Sequence, residues 1–410
     1  MHPHSLSFEM MRAICLIAAA LILFPFDSAR AQKFGADALV DFGFALPSGQ
    51  TSFNDGGLGK LEYSRAPAPV GQALADFWGQ LSPSLDLKAT LRLAPNQRAP
   101  FDILEAYARY RPVDTQSWVW SIKTGAFFPP ISLENEGIGW TSPWTLTSSA
   151  INTWVGDELR TIGGETTVEK RYRGGSVGFV GAVFAANDPA GALLADRGWV
   201  FDGRPSGLLG EPRRPDIVAS EIGLAIPAYE EPFKEIDGQP GWYAGLSLRQ
   251  DGIGRLQALY YDNRADPSTY IDDDFAWRTR FGSFGAEADI GDVVLLSQAM
   301  FGQTAIEPFE GFYSTTDFQS AYLLAGYSIS DYRIAARADV FATQQHNTGG
   351  NGPGEHGYAL TLAATWSPIR WFHLTGELLH VDSDREQRVQ DGLPVHASQL
   401  QAQLVGRVLF

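Results

Sequence analysis

The sequence predicts an all-β chain closed into a transmembrane antiparallel β-barrel of about sixteen strands, with fourteen or eighteen as the alternatives. Three observations carry this. Apolar and polar residues alternate through segment after segment, as in a strand with one dry face and one wet face. The links between these segments are short and long in turn. The last strand, 397–410, sets Leu400, Ala402, Leu404, Gly406, Val408 and Phe410 on one face. Gln399, Gln401, Gln403 and Arg407 take the other, broken only by Val405. A soluble sandwich also alternates, but it has no reason to sort its connections by length.

Composition agrees. Hydrophobic residues make up 44% of the chain, yet mean hydropathy is slightly negative. Beyond the first thirty residues no stretch supplies the roughly 20 consecutive apolar residues of a spanning helix. Alternation hides the membrane face of a barrel from such a count. Aromatics at 12% and 43 glycines suit aromatic girdles and tight turns. Arg12, the apolar run Ala13 to Phe26 and the small-x-small site Ala29-Arg30-Ala31 read as a signal peptide over 1–31, leaving a barrel over 32–410. Cys15 stands at the start of that run, which speaks against a lipoprotein anchor. It is the only cysteine, so the exported chain has neither a disulfide nor a thiolate metal site. A net charge of −16 argues against nucleic acid as a partner.

In chain order, 36–46 is a first strand. Residues 47–83 are rich in Gly, Pro and Ser, with a weak strand at 58–65 and a short amphipathic helix over Val70–Leu81. Regular strands follow at 84–94, 104–110 and 118–126. A long stretch, 129–156, does not alternate. Strands near 157–170 and 174–187 lead to a second long insertion, 188–240, with a further strand at Ala219–Ala228. From Trp242 the rhythm is clearest, with long loops at 263–275, 305–316, 344–356 and 383–396 between short turns such as Gly291-Asp292. Short periplasmic turns and long extracellular loops sort in this way. The chain is thereby placed in the outer membrane of a Gram-negative bacterium, surrounded by lipid and lipopolysaccharide, with both termini in the periplasm.

An Arg or Lys on the lipid face at mid-membrane costs about 2–4 kcal/mol, which assigns the faces. Tyr332, Ile334, Ala336, Ala338 and Val340 face lipid, and Arg333, Arg337 and Asp339 face the lumen. In 276–289 the same rule turns Arg278 and Arg280 inward and Trp277, Thr279 and Phe281 outward. A slip at Gly282-Ser283 is then explained by a β-bulge. With Arg92, Arg109, Arg111 and Lys123 also inward, bases outnumber acids in the lumen. Rings of Arg and Lys favour anions, although any barrel interior needs solvated charge of both signs. The expected function is a water-filled channel for passive diffusion of small polar solutes, anion-leaning, with phosphate among them. The alternative is a structural or adhesive barrel without an open pore.

Gly125-Ala126-Phe127-Phe128-Pro129-Pro130-Ile131-Ser132-Leu133-Glu134 resembles a Gly-x-Phe-x-x-Pro-(x)n-Glu stretch of the phosphate-selective porin O and P family. That resemblance implies an anion or oligosaccharide channel, a homotrimer, and a constriction loop folded into the lumen. The matching loop is 129–156, with Pro129, Pro130, Glu134, Trp140, Trp144 and Trp154. It is too apolar to stand in water unsupported; packing inside the barrel, an extracellular cap and a trimer latch all answer this. The lysine cluster of that family has no counterpart here. The terminal Phe410 resembles the assembly signal read by the barrel assembly machinery. No cofactor, metal site or enzyme is indicated. Of the five histidines after the leader, His346, His356, His373, His380 and His396, four fall near strand ends or loops, and His373 and His380, seven apart on one strand, do not share a face; neither His-Glu-x-x-His nor Gly-x-Ser-x-Gly occurs. Asp272-Asp273-Asp274 reads as a solvated loop.

Overall fold

A strand bordered by lipid can satisfy its backbone only through neighbouring strands, so a spanning sheet has to close. The computed structural model describes residues 33–95, 97–112, 117–217 and 226–410. The leader expected over 1–31 and most of the strand expected at Ala219–Ala228 lie outside them. Sixteen antiparallel strands form one closed barrel. They are β1 (Lys33–Ser48), β2 (Ala68–Ser82), β3 (Leu85–Leu93), β4 (Phe101–Tyr110), β5 (Trp118–Phe127), β6 (Thr161–Tyr172), β7 (Gly175–Ala185) and β8 (Gly241–Gln250). The second half comprises β9 (Gly254–Asp262), β10 (Arg278–Ile290), β11 (Val293–Phe309), β12 (Phe312–Ile329), β13 (Tyr332–Asn347), β14 (Gly350–Ile369), β15 (Phe372–Arg385) and β16 (His396–Leu409). A two-stranded hairpin, Tyr270–Ile271 with Asp274–Phe275, stands apart from the barrel.

β1 closes the barrel against β16, in register from Leu39 opposite Leu409 to Ser48 opposite Leu400. Past the last strand residue, Phe410 exchanges backbone hydrogen bonds with Ala38 (2.9 and 3.2 Å). On β13 burial alternates as the sequence predicts. Ile334, Ala338 and Val340 are exposed on the outer face; Ala335, Arg337, Asp339 and Phe341 are buried inside. β16 keeps its glutamines inward and Leu400 and Leu404 outward.

Two readings are corrected without changing the strand count. Val70–Leu81 is no helix but part of β2, paired with β1 along Ala68–Gln80. Its apolar residues fit both periods, and the long-range ladder decides between them. Residues 58–65 form no strand of the barrel. The loops expected at 305–316 and 344–356 are hairpin ends: β11 and β12 turn at 310–311, and β13 and β14 at 348–349. Their ladders run well past the ~10 residues that spanning requires.

β10 is corrected more deeply. Thr279, Phe281 and Ser283 are buried inside, while Arg278, Arg280 and Phe284 are exposed outside. Its register with β9 and β11 is unbroken, so there is no bulge. The cost rule misassigned it because these arginines lie at the loop end of the strand, not at mid-membrane. There Arg278 pairs with Asp262 (3.3 Å) and Arg280 donates to Gln303 (3.2 Å). Phe281 turns inward because apolar side chains await it.

Replacing Val340 on the outer face by Arg should destabilise the barrel by about 2–4 kcal/mol. Urea titration of protein refolded into lipid vesicles measures this as a lower midpoint; an unchanged midpoint would reverse the facing of β13.

Candidate functional site: a filled barrel interior

Sixteen strands enclose more space than wall side chains can fill. Three connections fold inward and occupy it: a strap at 49–67, the β5–β6 connection at 128–160 with helix α1 (Ala150–Glu158), and the described parts of the β7–β8 connection, 186–217 and 226–240, with helix α2 (Ala192–Arg197). Ile131, Leu133, Ile151, Trp154, Val155, Leu194, Trp199 and Phe201 are buried against the inward Phe281, Phe318, Tyr322, Leu324, Phe341, Leu379 and Val381. Trp154 is central, its ring 5.3 Å from Phe281, 5.1 Å from Phe318 and 6.1 Å from Trp199. Such aromatic pairs add to what burial alone supplies. At mid-height along β7–β15 the interior is therefore a packed core, apolar except for the buried charges of Arg337, Asp339 and Glu377. Trp140 stacks on Phe128 at 4.3 Å. Trp144 lies so close to Gly326 that any Cβ there would collide with its ring. Pro129 is buried in the connection while Pro130 is exposed.

Polar groups fasten this filling to the wall. The Arg337 guanidinium donates to Glu134 (2.6 Å), Asp339 (2.8 Å) and the carbonyls of Thr147 (2.7 Å) and Ser148 (3.0 Å). Glu134 in turn accepts from the Ser149 N–H (3.0 Å) and Asn152 Nδ2 (2.9 Å) at the start of α1. Glu377 accepts from the Leu146 N–H (2.6 Å). At the far end of α1, Glu158 accepts from Trp154 Nε1 (2.5 Å) and from the N–H groups of Gly191 (3.0 Å), Leu193 (3.0 Å) and Leu194 (3.2 Å) at the start of α2. Burial pushes the Glu158 carboxyl up to about 7. In the strap, Lys60 lies against Glu355, and burial lowers its ammonium to about 7 against the pull of that carboxylate.

The basic residues expected to line a pore are scattered by the structure. Arg337 and Arg92 are buried, Arg92 beside Asp102 at 3.3 Å. Arg109 and Lys123 point inward but pair with Asp86 (3.0 Å) and Glu165 (2.9 Å). Arg111 sits in the turn after β4, where its backbone N–H donates to Ser84 (2.7 Å). Arg278 and Arg280 are on the outer surface. Arg333 points into open space near the periplasmic end, donating to the Pro143 carbonyl (2.5 Å) over the Trp144 ring. It shares a cup of about 210 Å³ with His373 and Arg407, whose lining holds no carboxylate. At the loop end a vestibule of about 1140 Å³ is lined by charge of both signs, including Asp55, Arg98, Asp157, Asp202, Arg204 and Glu211.

Sequence reasoning missed Lys60, Glu62, Arg160 and Arg204, all buried in the connections. Arg160 donates to the Leu104 carbonyl (3.0 Å) and lies over the Phe128 ring. No alternation orients residues in irregular chain, so only their charge within apolar surroundings could have flagged them. Asp274 is not solvated: it pairs with Arg214 at 3.1 Å, while Asp272 and Asp273 form an exposed turn. Among the described residues Asp188, Glu235 and Asp237 have metal-ligand spacing. Their carboxylates already accept backbone N–H groups, from Ile236 to Asp188 and from Ala186 to Glu235.

Arg337→Ala leaves Glu134 and Asp339 buried without their cation. It should cost about 3–5 kcal/mol and open the 128–160 connection to protease, read by limited proteolysis of the refolded barrel. Arg280→Ala, at the outer surface, should stay within about 0.5 kcal/mol of the parent.

With this geometry in hand, comparison with known proteins is informative. Residues 240–408 match the family model described as Putative beta-barrel porin-2, OmpL-like. The 125–134 stretch that resembles the phosphate-selective porins lies outside that match. No curated protein matches the sequence significantly. Among solved structures, the outer membrane channel DcaP of Acinetobacter baumannii has a TM-score of 0.53 at 12% identity, covering 95% of this chain and 100% of that one. A loop-deletion mutant of OmpT, an outer membrane protein of Vibrio cholerae, has a TM-score of 0.50 at 10% identity, covering 93% of this chain and 100% of that one. At such identities the likeness is one of fold. The chain is an outer-membrane, porin-like barrel of sixteen strands, and its stretch from 240 to 408 carries the sequence pattern of the OmpL-like porin-2 family.

Proposed function

We propose that the protein is a channel for passive diffusion of small polar solutes across the outer membrane, with a modest lean towards anions such as phosphate, and that it performs no chemistry on them. The periplasmic cup supports this reading best. Arg333, His373 and Arg407 line it and no carboxylate does. Basic groups exposed in a pore attract anions. Arg407 is itself paired with Asp41 (2.7 Å), and most other inward bases meet carboxylates or carbonyls, so the lean is local and weak.

A second reading has its own support. The filled interior and the packed core along β7–β15 suit a structural or adhesive barrel with no open pore. Conductance in planar bilayers separates the two: current supports the channel, and silence of the purified protein together with variants whose interior contacts are loosened supports the second.

For a conducting channel, Arg333→Ala should lower the anion-to-cation permeability ratio, measured as reversal potential in a salt gradient. An unchanged ratio removes the cup from selectivity. Acidity should act in the opposite direction at the vestibule. Burial, with Asp202's charge also acting on Asp157, raises the Asp157 and Asp202 carboxyls to about 6. The pair takes up protons jointly as the pH falls, earlier than exposed carboxylates do. Lowering the pH from about 8 to about 5 therefore removes negative charge from the vestibule floor and should raise anion preference. A shift towards cations would contradict this.

A further inference from the structure

The open space in this barrel is off-centre. Between the vestibule and the periplasmic cup lies a third, small space of about 20 Å³ at the sector of wall formed by β16, β1 and β2. Wall residues Asp41, Gln72, Gln403 and Arg407 line the gap, together with Glu62, Tyr63 and Arg204 from the connections. It shares Glu62, Tyr63 and Arg204 with the vestibule, and Leu146 and Arg407 with the cup. The three spaces thus form one succession from the loop end to the periplasmic end. Other sectors are stopped. Along β7–β15 the packed core around Trp154 stops any passage at mid-height, although the periplasmic ends of these strands line open space. Along β2–β6 the inward charges Asp76, Lys88 and Glu105 are partly open, but Arg92, Asp102, Phe128 and Arg160 above them are buried.

We propose that solutes cross this barrel along the seam where its first and last strands meet, and that the Arg204–Glu62 pair is the movable part of a gate there. The proposal rests on the channel reading above. The gap closes between two unlike ion pairs. Arg407 donates twice to Asp41, at 2.7 and 2.9 Å, and Gln72 adds a third bond to Asp41 at 3.0 Å. These residues belong to three adjacent wall strands whose ladders hold them in place. Arg204 contacts Glu62 directly and donates to the Tyr63 hydroxyl at 2.6 Å. The partners sit in the strap and the β7–β8 connection, whose backbones meet at a Leu61–Phe201 bridge, so the two side chains can part without breaking the ladder of the barrel wall. A space of about 20 Å³ admits little more than a single water. A hydrated ion passes only when the Arg204–Glu62 side withdraws. The 128–160 connection fills the axis, while the strap closes the remaining route. The solutes that fit are small, polar and able to shed water against guanidinium and carboxylate groups.

The test is single-channel recording of the full barrel in planar bilayers. Arg204→Ala should raise conductance several-fold, and Arg204→Lys should return it towards the parent level. Residues 32–410 contain no cysteine, so Gln72→Cys in that chain carries one thiol. A bulky methanethiosulfonate reagent should then cut its current by more than half. Ser283→Cys, inside the packed sector, should be insensitive to the reagent. A parent that is silent while Arg204→Ala conducts supports the gate. A parent whose current survives modification of Gln72→Cys overturns the seam route but leaves the channel standing. Silence of the parent, Arg204→Ala and Gln72→Cys alike overturns the channel reading and the gate with it.

Discussion

Closure of β1 on β16 is the constraint on which the rest of the structure depends. Lipid offers no hydrogen bonds, so neither strand could end the sheet at an open edge. Once closed, the ladder fixes which way each inward residue points for the whole circumference. Arg337, Asp339, Glu377 and Gln403 then form a rigid set of polar attachments at known heights, facing a space too wide for them to fill. The irregular connections are placed by that set. The start of α1 meets Glu134, held by Arg337, and the 146–147 backbone meets Glu377.

What fills the space is two kinds of material. Towards β7–β15 it is aromatic and aliphatic, around Trp154, and stabilised as any protein core is. Towards β16, β1 and β2 it is charged, with paired side chains and residual volume. This division lets one barrel be both mechanically firm and locally penetrable. It also explains why a lumen with many basic residues is not a basic pore: most of them are consumed by carboxylates or by the carbonyls of the connections.

The wall was legible from sequence because a strand's period of two leaves little freedom. Fifteen of the sixteen strands, the faces of β13 and β16, and the closing position of 397–410 all follow from it; the remaining strand was placed at 58–65 instead of 68–82. Legibility failed where two signals coincided. Over Val70–Leu81, apolar residues satisfy the helical period as well as the strand period, and only pairing with β1 distinguishes them. At Arg278 and Arg280 a sound energetic rule was applied at the wrong depth, since sequence alone gives no height along the barrel. The interior was the least legible part. The 129–156 stretch could be singled out for its tryptophans, but the roles of Lys60, Glu62, Arg160 and Arg204 arise from chain segments far apart in sequence and without periodicity.

The bond between Arg407 and Asp41 also ties the two ends of the polypeptide in a particular alignment. A strand displaced by one residue presents all its side chains to the opposite environment. Such a slip of β16 would carry Arg407 and three glutamines into hydrocarbon, and Leu400 and Leu404 into the interior. It would also strand Asp41 without its cation. The closing strand of the barrel is therefore matched to the first by charge as well as by backbone geometry.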